Sequence, residues 1–234
     1  MTAFAQTTEE EILAAASQDA RISELTAERV LYAADQALDA AAVIVSTLRN
    51  DRLVHEELKR VAEGVPGTRA IIVIGPDGRL KHDSYKYPPQ DLDLSDRTYF
   101  KEGLSRSGLV AGKAVVGRTS GASFVPLVKR IGALTFVAVT SPFALVDVKT
   151  QCGDCWSLAI KDDGDLVSIF PPEAQVSPAL LNIAVQSNER TGTRIARYRN
   201  SVIAVAWIKS ERFPIISVAV RGLPDTALPD IDIN

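Results

Sequence analysis

Cysteine and histidine are scarce in this chain of 234 residues, with two of each, and the basic residues are interleaved with acids instead of clustered. Each shortage excludes something. Without a Lys/Arg cluster, and with a formal charge of −3, the surface is not that of a nucleic-acid binder. No stretch approaches the continuous apolar length that crosses a bilayer, so the sequence predicts a soluble object. Met1–Gln6 has neither the charged nor the apolar region of a signal peptide. No GxSxG, Walker A, HExxH or GxGxxG motif is present. His55 and His82 have no partner constellation nearby, and acids such as Asp77, Asp162 and Asp163 sit in turns instead of a paired site. The sequence therefore predicts no enzyme and no cofactor.

The two cysteines form one CxxC, Cys152 and Cys155. A local disulfide, idle thiols, a redox-responsive clip and half a metal site all fit that spacing. A closed zinc site needs about four ligands, and the histidines are far away in sequence, so no metal site is expected.

What is present is helix first and strands later. Thr8 and Glu11 have capping-box spacing, and a run free of Gly and Pro continues to Gly64. Leu31, Ala34, Leu38, Ala41, Val45 and Leu48 fall at a/d spacing, a stripe that either covers the following domain or packs on a partner helix in a homodimer. The earlier part, around Ser17, Asp19 and Glu24, is too polar for full burial. A helix of about 40 residues spans roughly 60 Å, which favours a stalk.

After Gly64 the order is strand (70–74), a Pro76–Asp77–Gly78 turn, strand (80–87), Pro88–Pro89, a helix capped by Ser95, then strands over 109–116, 123–130 and 133–141. The order repeats from Trp156: strand, Asp163–Gly164 turn, strand, Pro171–Pro172, a helix opened by Ser177–Pro178, and three strands over 193–198, 201–209 and 215–220. This predicts an α+β fold: a long N-terminal helix, then two tandem units, each an antiparallel sheet of about five strands with flanking helices. The expected boundaries are a stalk over 1–63, units over 64–150 and 151–222, and an extended tail over 223–234.

Asp91 to Phe100, with Ser95-Asp96-Arg97-Thr98-Tyr99-Phe100 at its core, resembles the signature of bacterial double Cache (PAS-like) sensor domains. Val116 to Gly121, Lys129-Arg130, Asp163 to Val167 and Phe213 to Ile216 are similar to further positions of that family. The resemblance implies an extracytoplasmic input domain of a histidine kinase, diguanylate cyclase or chemoreceptor, binding a small carboxylate or amino acid in its first, membrane-distal unit. The chain lacks the flanking membrane helices and the output domain of such receptors. The expectation is an excised periplasmic part of an inner-membrane receptor; the alternative is a soluble cytoplasmic stand-alone sensor.

The expected ligand contacts are Arg97, whose planar fork matches a carboxylate, and Tyr99, a phenol donor with an apolar wall. Ser120 and Arg118 in the following loop, Lys113 on the preceding strand and Tyr85 on the returning strand complete the set. Each has a plainer reading. Arg97 can pair with Asp93 or Asp96, Phe100 reads as core, and Lys113 and Arg118 as solvated strand residues. Tyr85 and Tyr87 read equally as pocket wall or sheet cover. Arg194, Arg197 and Arg199 read as an exposed basic strand face.

Overall fold

The alanine-rich, glycine-free N-terminal sequence forms one helix, α1 (Glu9–Thr47), with Glu9, Glu10 and Glu11 in its first turn, where carboxylates complement the helix dipole. The computed structural model describes residues 9–148, 155–198 and 201–223. Thr8, Cys152, Arg199 and the expected tail beyond 223 lie outside the described residues.

The helix expected to run to Gly64 stops at Thr47. Asn50 is the reason: its side chain accepts hydrogen bonds from Arg52 N at 3.0 Å and Leu53 N at 3.2 Å, capping a new helix, α2 (Asp51–Glu63). An N-cap satisfies backbone N–H groups that have no partner inside the helix. Asn50→Ala is expected to lower stability by about 1 kcal/mol, read as a shift in the chemical-denaturation midpoint.

By length and composition α1 is apolar enough to cross a membrane, which corrects the expectation that nothing in the chain is. Its apolarity comes largely from alanines, and Ala16, Ala20, Ala27, Ala34 and Ala41 are fully buried in the protein's own core. Glu24 is also buried, against expectation, because Arg21 at 2.9 Å and Arg190 at 3.6 Å face its carboxylate. Burial of a charge is tolerated when a partner offsets the lost hydration. Ser17 stays exposed.

The described residues fall into two units. One is Ala27–Leu145; the other joins the chain before Ala27 to the chain from Val146 onward, so α1 contributes to both.

In the Ala27–Leu145 unit, α2 is followed by β1 (Thr68–Ile74) and β2 (Leu80–Asp83). Then come α3 (Thr98–Ser105), β3 (Val110–Ala111), β4 (Val115–Val116), β5 (Ser123–Ile131) and β6 (Leu134–Thr140). The sheet order is β2-β1-β6-β5-β3, all antiparallel, with β4 paired to β5. Successive side chains of a strand face opposite ways. Val137 and Val139 of β6 therefore join Tyr99 and Phe100 of α3 in one core, while Phe136 and Ala138 are buried on the other face. Phe100 is core, as its plainer reading had it.

The second unit repeats the plan with β7 (Cys155–Lys161), β8 (Leu166–Phe170), α4 (Pro178–Gln186), β9 (Thr191–Tyr198), β10 (Ser201–Lys209) and β11 (Ile215–Leu223). Its order, β8-β7-β11-β10-β9, is that of the first sheet. The duplication read from the two D-G turns and Pro-Pro pairs is thus a duplication of topology. Arg194 and Arg197 are exposed on β9, which is an edge strand. Cys155 is buried at the start of β7 and is disulfide-bonded, which removes idle thiols from the open alternatives.

Candidate functional site

The signature segment is held in place by backbone bonds to the first hairpin. Leu80 N donates to Leu92 O at 3.0 Å and Leu94 N to Gly78 O at 2.8 Å. Gly78 has φ +79°, and a Cβ there would lie 2.4 Å from the Ser95 Cβ, so the turn accepts only glycine against this segment. Ser95 does not cap the helix as expected. Asp93 Oδ1 accepts its N–H at 2.9 Å, forming an Asx-type turn, and these contacts hold the Asp93 carboxyl below the usual range. The N-cap position falls on Arg97, with extended backbone and no side-chain cap. Its guanidinium is thereby left for other work.

The sheet face beneath α3 is not fully filled. Ala70, Ile72, Leu80, Leu92, Leu94 and Phe124 line a cavity of ≈ 560 Å³, a figure that includes solvent at its mouth. Of the six residues expected at a site, Tyr85, Arg97, Tyr99, Arg118 and Ser120 line this cavity. Lys113 does not; it is exposed beyond the short strand β3. Tyr87 lines a separate hollow with His55, His82 and Asp51.

Arg97 donates to Val116 O at 3.1 Å, and its Nε is buried with no hydrogen-bond partner. It makes no ion pair among the described residues, so the expected alternative pairing with Asp93 or Asp96 is not formed. Arg118 takes Asp96 instead, at 2.5 Å, and also bonds the Asp93 carbonyl. Tyr99 is buried, and burial pushes its phenol up against the opposing pull of Arg97 and Arg118. At neutral pH it is therefore a hydrogen-bond donor.

Two charged lining residues were not anticipated. Arg69 extends from β1 and donates to Ser120 Oγ at 3.1 Å. Asp83, at the end of β2, is buried, with Oδ1 accepting Tyr85 N at 2.8 Å. Arg69 is legible only as a charge two residues before a β-branched run. Asp83 was masked by the expectation that β2 continues to Tyr87; its own Asx bond ends the strand.

Burial raises the Asp83 carboxyl above its ordinary value, opposed by the amides of Tyr85 and Lys86. A carboxyl whose native pKa is raised binds protons more tightly folded than unfolded. Its contribution to stability is therefore lost as pH rises from the unfolded value of 3.8 through the folded one. Asp83→Asn keeps an oxygen acceptor and removes the charge. It is expected to raise the melting temperature at pH 7 and to leave it unchanged well below pH 3.8, by thermal denaturation at both pH values.

On the other side of β2, His55 Nδ1 lies 2.7 Å from the Asp83 carbonyl, so Nδ1 carries the proton there. Burial lowers the His82 pKa, opposed by Asp51. No three His, Cys, Asp or Glu among the described residues are grouped to hold a metal ion.

The second unit uses the corresponding space differently. Leu180 and Ala184 of α4 pack with Tyr198 and Trp207 in its core, and Trp156 meets Tyr198 edge-on at 5.6 Å. The cavity belongs to the first unit, where the smaller Leu92, Leu94 and Ile72 line the space.

No family model matches the sequence, and no curated protein sequence matches it either. Solved structures do. The extracellular domain of the proposed histidine kinase rpHK1S-Z16 is similar at TM-score 0.70 and 18% identity, over 92% of this chain and 97% of that one. The present chain shares that domain's fold, two tandem antiparallel-sheet units of the double Cache type. The ligand-binding domain of the Pseudomonas fluorescens chemoreceptor CtaA, in complex with L-serine, is similar at TM-score 0.70 and 13% identity, over 94% of this chain and 100% of that one. That of the Campylobacter jejuni chemoreceptor Tlp3, in complex with L-norvaline, is similar at TM-score 0.66 and 14% identity, over 95% of each chain. In this double Cache fold the cavity lies in the first unit, beneath the helix that the signature segment opens.

Proposed function

We propose that the chain is the sensing part of a signal-transduction receptor and that the first-unit cavity takes a small anionic or zwitterionic molecule, such as a carboxylate or an amino acid. The observation that carries this is Arg97. A guanidinium on the cavity wall, with a buried Nε that has no hydrogen-bond partner and with no carboxylate paired to it, is a costly arrangement until an anion arrives. Tyr99 adds a donor, and two solved neighbours of this fold hold L-serine and L-norvaline. The chain does no chemistry itself on this reading; catalysis belongs to an output domain, and the sensing face lies outside the cytoplasm.

Relay runs through α1. Phe124 lines the cavity on β5, and Lys129, on the same strand, lies 2.7 Å from Asp35 Oδ1 and 2.7 Å from Asp39 Oδ1 of α1. A ligand shifts this connection only through its different affinity for the two positions of β5. Of the predicted stripe Leu31, Ala34, Leu38, Ala41, Val45 and Leu48, the first four are buried within the chain and the last two are half-buried, so a homodimer through this helix would use another face. Ile22, Leu25, Tyr32 and Val43 are exposed on α1 and fall, with Arg29, Gln36 and Asp39 between them, on alternating steps of three and four.

The test is a thermal-shift screen of carboxylates, amino acids and purines against the purified chain. Binding to the native state raises the melting temperature, and the rise grows with the logarithm of ligand concentration above Kd. An acid that stabilises the chain supports the proposal. No stabilisation by any anion or amino acid at millimolar concentration marks the domain as a dimerisation module with a degenerate pocket.

A further inference from the structure

The charges around the cavity do not balance, and the imbalance has one sign. Four ionised side chains line it: Arg69, Asp83, Arg97 and Arg118. Arg118 is neutralised by Asp96 at 2.5 Å. Arg69 and Arg97 have no carboxylate partner among the described residues. Both are tethered to one turn, Arg97 to Val116 O and Arg69 to Ser120 Oγ, each at 3.1 Å. That turn is closed by Gly117 N to Ala122 O at 3.0 Å, so the two guanidiniums are held on the same side of the cavity. The one carboxylate, Asp83, already accepts a backbone N–H at 2.8 Å and lies on the opposite hairpin strand.

An α-amino acid brings one carboxylate and one ammonium. Its carboxylate satisfies one guanidinium. Its ammonium, on the adjacent carbon, then lies on the side where the second guanidinium is held, and the two like charges repel. A second carboxylate in place of that ammonium pairs with the second guanidinium and leaves no charge unmatched. Resting on the binding-site reading above, we propose that the first-unit cavity selects a short dianionic acid over a zwitterion of the same length, through Arg97 and Arg69 acting on separate charges. A dicarboxylate and a phosphomonoester both offer that chemistry.

Isothermal titration of the full chain with glutarate, propyl phosphate, valerate and L-norvaline separates the cases. Glutarate and norvaline share a five-carbon chain and differ in charge. Glutarate or propyl phosphate is expected to bind at least tenfold more tightly than valerate and norvaline, and whichever dianion binds more tightly identifies the source. Arg69→Gln is expected to bring the tighter dianion down to the affinity of valerate while leaving valerate within about threefold of its original value, since valerate uses Arg97 alone. Asp83→Asn, which removes a negative charge from the lining, is expected to leave dianion binding equal or tighter. Norvaline binding more tightly than both dianions, or losing affinity on Asp83→Asn, overturns the inference and leaves the binding-site reading intact. Heat from none of the four, with no acid stabilising the chain in the thermal-shift screen, overturns both. A chain that binds a dianion equally well after Arg69→Gln also overturns the inference.

Discussion

Arg97→Ala is expected to weaken binding of any acid that the cavity takes by roughly 10- to 150-fold. That range is the worth of one charge-assisted hydrogen-bonded contact, about 1.5–3 kcal/mol. Measured by titration with glutarate, the loss falls on affinity, while the fold is kept, because the Arg97 side chain makes one hydrogen bond, to Val116 O, and no ion pair among the described residues. The melting temperature without ligand is expected to stay the same or rise, since a buried nitrogen without a partner disappears. Lys113→Ala is the matched control. It removes a cation that does not line the cavity and is expected to change affinity by less than about twofold. Equal losses from the two variants would mean that general surface charge, and not Arg97, attracts the acid.

Phe136→Ala is expected to cost about 3–5 kcal/mol, the range for emptying a buried aromatic site. Phe136 is among the largest fully buried side chains and faces away from the cavity, on the middle strand of the first sheet. Its backbone pairs with Val73 on one side and Lys129 on the other. Hydrogen exchange of the β1, β5 and β6 amides is expected to accelerate by about two to three orders of magnitude. Leu104→Ala, on an exposed position of α3, is expected to stay within about 0.5 kcal/mol of the parent. A mild effect at Phe136 would mean that this face is loosely packed and cannot carry a strand movement to Lys129 and α1.

The periodicities that made the fold legible were local and repeated. Turns at Asp77-Gly78 and Asp163-Gly164, the Pro-Pro pairs and the Ser177-Pro178 helix start each specify backbone within a few residues, and the structure keeps them. Boundaries failed where a polar side chain competed with the backbone pattern. Asn50 ended a helix that composition alone would continue, Asp83 ended β2 early, and Asp93 engaged the serine read as a cap. Glu24 was misjudged because only one of its partners, Arg21, is local; the other, Arg190, is 166 positions away, and no local pattern carries that contact. For the same reason Arg97, Tyr99, Arg118 and Ser120 were named from the signature and its following loop and Tyr85 from the returning strand, while Arg69 and Asp83 were not. They reach the cavity through strand pairing of β1 with β2 and β6.

A crystal structure of the chain soaked with glutarate tests the central claim most directly. The account predicts a carboxylate within hydrogen-bond distance of the Arg97 guanidinium, beneath α3, with its apolar chain against Leu92, Leu94 and Phe124. Glutarate seated in the second unit, or a vacant first-unit cavity with Arg97 swung into solvent at saturating acid, would contradict it.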